Sequence, residues 1–416
     1  MTVNDAFGAP VADANIQGPQ GNALTDSKGH GILLVDTDSS TVDLEISRES
    51  FVKKQVTAKT DAGNELNVTL ERTTSPAGGS MASRSGTPPS NTADGKSLTF
   101  EVELAVVDAQ AQPILNLAES DFLLQPCSPD PNNGRPDCVS GSGSESDGDV
   151  AYQAVAGGMP QDVRFLPGEA VTPQATALLV DQSGSIAKSD PTAARLYSAK
   201  AFLTTLGPTD YALLAAFASG PGASIPTSPL TVYDPFKDQA SSSSYFATLD
   251  SLAAQVGGGT PLYDSIDQLR SQWVVNAPLP SQVEKSIVIF TDGADTNCAS
   301  AADCAAKRQA TIQAANESHV RLFTVGLSSD IDRIGLSELA TGTGGAFLFA
   351  DSVEQLLPLY NAIGPLANRS LPLYRLRWTV QSDVAGAFHS GLTLIGHVSV
   401  KAGSGTINVP FTVRIP

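Results

Sequence analysis

The sequence predicts a multidomain fold in which a doubly wound, Rossmann-like α/β domain at residues 172–369 is inserted in, or flanked by, all-β sandwich domains. Three observations lead there. The chain has 416 residues, which at ~150 residues per domain allows two or three folding units. Its middle carries continuous apolar runs at 177–180, 212–217, 287–290 and 322–325, the length and lack of alternation expected of parallel strands buried on both faces. Its two ends carry runs that alternate apolar and polar residues between Gly-, Asp- and Asn-rich turns, the pattern of half-buried strands.

Residues 1–72 read as a small β-sandwich, with Val42, Leu44 and Ile46 alternating, and Leu66, Val68 and Leu70 likewise. The phrases AFGAPVADANI, ALTDSKGHGILLV and TVDLEIS resemble the carboxypeptidase regulatory-like family of transthyretin-type sandwiches, which implies a spacer or adhesion module and not a catalyst. Residues 73–95 hold Ser, Thr, Pro, Gly and Ala with almost no large apolar side chain, so burial cannot offset the entropy of ordering and a flexible linker is expected. Gly95-Lys96-Ser97 matches the tail of a phosphate-binding loop. Ser90 stands where that motif's first glycine belongs, however, and a strand at 98–107 follows where a helix is required.

Residues 96–171 continue as β-structure, interrupted by a polar stretch at 128–149, and strands resume over 370–416, where TLIGHVSV, a KAGSG turn and INVPFTVRI form a hairpin. Neither flank alone has enough strands for a stable sandwich, but together they have about seven, so one discontinuous sandwich receiving the central domain is expected. Inside that domain Leu196, Ala199, Leu203 and Leu206 follow Asp190-Pro191, and Leu262, Ile266, Leu269 and Trp273 follow Thr260-Pro261, both helical spacings behind a cap and first-turn pair. Strand and helix alternate throughout, which predicts a parallel sheet with helices on both faces.

Composition excludes several functions. Against 43 Asp plus Glu the chain has 25 Lys plus Arg, a net charge of −18 and the wrong sign for holding nucleic acid. Uninterrupted apolar runs reach about seven residues where a membrane span needs ~20, so no membrane span is expected. The four histidines, His30, His319, His389 and His397, are too few for a His-rich metal centre. The four cysteines fall into two near pairs, Cys127 with Cys138 and Cys298 with Cys304. Neither pair has the two-residue gap of a zinc knuckle or redox motif, and two local disulfides are expected. Disulfides place the protein in an oxidising compartment: extracellular, cell-surface or periplasmic. The opening MTVNDAFGAP has neither a basic nor an apolar leader region, so the export signal is expected to lie outside this numbering.

In an open α/β sheet the ligand crevice lies beyond the carboxyl ends of the strands. There the run ending at Val180 leads into Asp181-Gln-Ser183-Gly-Ser185, the run ending at Phe290 into Thr291-Asp292-Gly293, and Gly257-Gly258-Gly259 precedes Thr260. Two carboxylates and three hydroxyls, with no imidazole and no thiolate, form a hard-oxygen set suited to Mg²⁺, Mn²⁺ or Ca²⁺ and not zinc. Two aspartates neutralise a divalent ion, and hydroxyls add oxygens without charge, so the ion keeps an attraction for one further anionic oxygen.

These residues, DQSGS at 181–185, GGGTP at 257–261 and FTDG at 290–293, resemble a von Willebrand factor type A domain with a complete metal-ion-dependent adhesion site. The segments RLFTVGLSSDID and LSELATGTGGAFLFADSVEQLLPLY are similar to that family's last strands and helices. The resemblance implies that Ser183 and Ser185 ligate the metal directly, that Thr260 and Asp292 do so directly or through water, and that Asp181 acts mostly from behind them. It also implies a cation, Mg²⁺ first with Mn²⁺ or Ca²⁺ as alternatives, and a protein partner that presents an Asp or Glu carboxylate. The family's last helix slides to report binding, but the matching stretch at 352–369 contains Pro358 and Pro365, so a short or kinked helix and a fixed affinity are expected instead.

Each residue also has a plain structural reading: Thr260 and Ser185 are good helix caps, and an aspartate at a strand end is common. Their joint order on the expected elements favours the metal. Asp295 reads as a loop residue, and Glu145, Asp147 and Asp149 as part of a solvated loop. Ser185-Ile-Ala-Lys188 has the S-x-x-K spacing of a serine hydrolase, but the companion S-D-N and K-T-G elements are absent. A non-enzymatic adhesion or binding protein is therefore expected; a structural subunit with a metal-rigidified but non-adhesive domain is the alternative.

Overall fold

The computed structural model describes residues 1–415 except 6–9, 12–13, 27, 36–38, 49–50, 61–64, 71–79, 87, 109–110, 116, 126–150, 170, 328–331, 351–355 and 403–404. The chain divides into two compact units, Met1–Ser75 and Pro76–Pro416.

In the first unit, strands β1 (Thr2–Asp5) and β6 (Asn67–Leu70) pair in parallel. Strands β2 (Asn15–Gln17), β3 (Asn22–Leu24), β4 (Thr41–Ser47) and β5 (Lys54–Lys59) form an antiparallel sheet in the order β3-β2-β4-β5. The period-two reading holds: Leu44 and Ile46 of β4 and Val68 and Leu70 of β6 are buried in one small core with Val3 and Ile16.

The second unit opens with β7 (Ser80–Ser85), β8 (Ser90–Asn91), β9 (Ser97–Val107), β10 (Phe122–Leu124), β11 (Gln153–Ala154) and β12 (Asp162–Leu166). The α/β region follows as β13 (Gln174–Asp181), α1 (Ile186–Ser189), α2 (Ala194–Thr204), β14 (Tyr211–Phe217), β15 (Leu230–Val232), β16 (Lys237–Asp238), α3 (Gln239–Ser242) and α4 (Tyr245–Leu252). It continues through α5 (Leu262–Leu269), β17 (Glu284–Thr291), α6 (Ala301–Glu317), β18 (Val320–Leu327), α7 (Arg333–Gly342), β19 (Phe347–Ala350) and α8 (Leu356–Ala367). Strands β20 (Leu373–Gln381), β21 (Thr393–Ala402) and β22 (Gly405–Arg414) end the chain.

Strands β19, β18, β17, β13 and β14 lie side by side in parallel, with β15 antiparallel at the edge. All eight residues of β13 are buried, because helices cover both faces. Leu178 and Val180 pack with Phe202 of α2 and Ile363 of α8, while Ala177 and Leu179 pack with Ile266 of α5 and Leu339 of α7.

The stretch expected to be a linker departs from that reading. Within it β7, of sequence SMASRS, pairs antiparallel with both β19 and β9 and joins the flanking strands to the α/β sheet. Ladder hydrogen bonds use only backbone groups, so a strand with few large apolar side chains can still form between two neighbours, and its Ala82 and Ser83 are buried. Strands from the two flanks also pair with each other, β9 with β20 from Ser97↔Gln381 to Leu104↔Tyr374. A separate three-stranded sheet, β10-β21-β22, contributes to the same core; Phe100 lies 6.1 Å from Trp378 and 5.5 Å from Phe411 between ring centroids.

One helix also differs from expectation. After α5 the turn Arg270–Val274 is a π-helix, with the Val275 N–H donating to the Arg270 carbonyl at 2.9 Å. One extra residue in that turn moves the inward position on by one, so Val274 is fully buried and Trp273 is 39% exposed. Helix α8 runs through Pro365 and ends two residues beyond it, at Ala367. An interior proline costs ~3 kcal/mol, and burial of Leu359, Tyr360, Ile363 and Leu366 offsets it. Among the described residues, no helix is long and apolar enough to cross a membrane.

Candidate metal centre

The carboxyl ends of β13 and β17 are neighbours in the sheet, which brings Asp181 and Asp292 to the same edge. The loop after β13 bends back because the fully buried Asp181 accepts, at Oδ1, the Ser183 backbone N–H at 2.7 Å. Its Oδ2 accepts the Thr291 hydroxyl at 2.7 Å, tying the two strand ends together. The third loop is joined by backbone: the Gly184 N–H donates to the Gly258 carbonyl at 3.0 Å, and the Gly257 N–H to the Gln182 carbonyl at 2.8 Å. Gly258 needs its missing side chain, since its φ is +84° and a Cβ would sit 2.4 Å from the Ser219 carbonyl oxygen.

The side-chain oxygens then form a chain. Ser183 Oγ and Ser185 Oγ are 3.1 Å apart, and Ser185 Oγ donates to Asp292 Oδ1 at 2.8 Å. The other Asp292 oxygen accepts the hydroxyl of Ser189. Thr260 stands beside them: a Cβ placed on Gly293 would lie 3.8 Å from Thr260 Oγ1 and 3.9 Å from Ser185 Oγ. The Thr260 backbone is held on both sides by Thr296, whose Oγ1 accepts its N–H at 2.8 Å and whose N–H donates to its carbonyl at 2.9 Å. All five expected residues thus meet at one place. Asp181, Ser183, Thr260 and Asp292 are buried and make the floor, while Ser185 is exposed and faces solvent.

Burial pushes the Asp181 carboxyl up to about 6; hydrogen bonds from Thr291 and Ser183 pull it back, and the charge of Asp292 raises it. Among the described residues no group of three or more His, Cys, Asp or Glu could hold a metal. Two carboxylates with three hydroxyls remain, a donor set that fits a hard divalent cation.

Asp295 keeps the role of a loop residue. Its oxygens accept the backbone N–H groups of Tyr263 at 2.9 Å and Asn297 at 2.6 Å, so it caps the start of α5 from a neighbouring loop, where the N-cap residue Pro261 makes no side-chain bond. The Cys298–Cys304 disulfide is formed just beyond it, with Cα atoms 5.2 Å apart. Cys127 and Cys138, together with Glu145, Asp147 and Asp149, lie outside the described residues. The S-x-x-K reading finds no support, because Ser185 Oγ bonds Ser183 and Asp292 and, among the described residues, no lysine or histidine side chain.

Two participants escaped the sequence reading. Ser189 is one helical turn after Ser185, a spacing that puts both hydroxyls on one face toward Asp292. Arg195, 1% exposed, sits beneath the loop and donates to Asp190 at 2.8 Å, to Gln182 Oε1 at 2.8 Å and to the Asp181 carbonyl at 3.3 Å. Asp190 in turn accepts the N–H groups of Ala194 at 2.7 Å and Arg195 at 3.1 Å, capping α2 from four residues upstream. An arginine on the apolar face of a helix was the available signal.

Residues 177–362 match the von Willebrand factor type A domain family. No curated protein matches the chain. Among solved structures, proximal thread matrix protein 1 from the mussel byssus, with a zinc-occupied MIDAS motif, is 16% identical over 52% of this chain and 50% of that one, with a TM-score of 0.39. The chain thus spans about half the length of that protein. A von Willebrand factor type A protein from Catenulispora acidiphila is 14% identical over 63% of this chain and 75% of that one, with a TM-score of 0.36. The pilus adhesin SpaC from Lactobacillus rhamnosus GG, in an open conformation, is 13% identical over 98% of this chain and 54% of that one, with a TM-score of 0.39.

Proposed function

We propose that the von Willebrand factor type A domain present at residues 177–362 captures an Asp or Glu side chain of a protein partner through a divalent cation, outside the cytoplasm or at the cell surface. The observation that carries this reading is the convergence of Ser183, Ser185, Thr260 and Asp292 from three loops, with Ser185 Oγ 3.1 Å from Ser183 Oγ and 2.8 Å from Asp292 Oδ1. Ser183, Ser185, Thr260 and Asp292 would hold the cation, and Asp181 would orient Ser183 and Thr291 from behind. When bound, the cation supplies an electrophilic position for a partner's carboxylate oxygen. The hard donor set favours Mg²⁺, with Mn²⁺ and Ca²⁺ sharing its chemistry. The disulfide beside the site supports an oxidising compartment. The role is binding, not turnover.

Capture from matching cell surfaces, with and without chelator, tests the reading. Binding is expected to vanish on chelation and to return with Mg²⁺ or Mn²⁺. Binding that persists once the metal is shown to be gone would leave the cation as a brace for the loops and move the function to another surface.

A further inference from the structure

At the opposite edge of the sheet from Asp292, a cavity of about 570 Å³ opens between the C-terminal end of α8 and the strands β7, β9, β12 and β20. Three guanidinium groups line it, Arg84 from β7, Arg369 just past α8 and Arg375 from β20. Two carboxylates share it, and both are engaged. Glu103 accepts from Arg375 Nε at 3.1 Å and Nη2 at 2.7 Å, and Glu169 lies 3.8 Å from Arg369. Among the described residues, no hydrogen bond and no ion pair within 4 Å engages Arg84. The next cation behind, Arg321, is paired with Glu284 at 2.5 Å, which also lies 3.9 Å from Arg369. Arg375 also lies 4.0 Å from Glu101, so within the lining itself three arginines face two glutamates, and Arg84 is the one without a close ion pair, in a chain whose net charge is −18.

Burial lowers the pKa of Arg84, and the charge of Arg369 adds to that, while the charges of Glu103 and Glu169 pull it back up. Glu103 stands opposite Arg84 in the β7–β9 register but is bound by Arg375, so a half-buried cation shares its counter-ion, and an anion entering the cavity would relieve the resulting cost. The remaining walls are apolar, with Leu366, Leu371 and Leu373 each less than a tenth exposed. The backbone closes the floor, since a Cβ on Gly168 would come within 1.9 Å of the Ser370 carbonyl oxygen. A bare inorganic anion would leave most of this volume and these walls unused.

We infer that this cavity binds a small organic carboxylate with an apolar body, its carboxylate on Arg84 and Arg369 and its apolar part against Leu366, Leu371 and Leu373. Such a group could come from a free aliphatic acid or from the C-terminus of a peptide. Hexanoate and N-acetyl-leucine are the respective probes, and hexanol and inorganic phosphate the controls. The full chain is titrated by calorimetry in excess chelator, so that no carboxylate reaches a metal at the other edge.

Saturable one-site binding of hexanoate or N-acetyl-leucine is expected, with hexanol and phosphate at least about tenfold weaker. Arg84→Gln should lose at least about tenfold in affinity while Arg84→Lys keeps most of it, and the probe should raise the melting temperature of the wild type but not of Arg84→Gln. Hexanol binding as well as hexanoate would mean an apolar cavity alone, and phosphate binding as well as either acid would remove the apolar body. Unchanged affinity in Arg84→Gln, or no saturable binding of either acid, would overturn the inference outright.

Discussion

Replacing Asp292 by asparagine separates the charge at the centre from its geometry. The carboxylate accepts Ser185 Oγ at 2.8 Å and also the Ser189 hydroxyl. An asparagine keeps one carbonyl acceptor and turns the other position into a donor, so one of the two serine contacts is lost near solvent, a cost of about 1 kcal/mol. Relief of the repulsion with Asp181 acts in the opposite direction. Stability should therefore change by no more than about 1 kcal/mol, with the melting temperature nearly unmoved. Cation affinity should fall far more. Taking one of only two neutralising charges from a buried ion pair costs about 3–5 kcal/mol, which is a loss of roughly a hundredfold to a few thousandfold. Calorimetric titration of Mg²⁺ and Mn²⁺ into wild type and variant reads this directly. An Asp292→Asn protein that takes up one equivalent with unchanged affinity would refute the assignment, and one that unfolds would refute the claim that the carboxylate is dispensable to the fold.

Removing Arg195 as Arg195→Met leaves Asp190 buried without its cation, and a loss of about 3–5 kcal/mol in urea unfolding is expected; a loss below about 1 would show that the loop does not depend on this brace. Replacing Cys298 and Cys304 together by serine opens a loop with a sequence separation of 6. Chain entropy for a loop of this length predicts about 2 kcal/mol, and non-reducing peptide mapping of the wild type must recover that bond. Raising salt moderately should change partner binding little, because screening over ~8 Å leaves a close metal–carboxylate contact intact; a steep salt dependence would point to long-range steering instead. Burial raises the pKa of Asp267 above 3.8, with Thr311 and Arg270 pulling it back. The folded state then binds this proton more tightly than the unfolded chain, so the wild type should gain stability relative to Asp267→Asn as the pH falls from neutral to about 4, and the reverse trend would contradict the burial argument.

The apolar runs at 177–180, 212–217, 287–290 and 322–325 all lie within the parallel strands, because a strand covered on both faces has no polar face to disguise it. Four of the five candidate oxygen-bearing residues, Asp181, Ser183, Ser185 and Asp292, stand at or just past the ends of β13 and β17, so their place in the sequence also sets their place at the sheet edge, whereas Thr260 precedes α5 and reaches them only through loop packing. Tertiary structure alone decided the rest. Whether residues 80–85, SMASRS, become a strand depends on two neighbouring edges offering backbone groups, which composition does not encode. The inward shift from Trp273 to Val274 depends on one π-turn. The joining of Ser189 to Asp292, and of Arg195 to Gln182, spans residues whose relation exists only once the strand ends are side by side. The grouping of Arg84, Arg369 and Arg375 has the same origin, since three elements far apart in sequence meet there through strand pairing and helix packing, and local patterns carry no information about which charges remain unpaired.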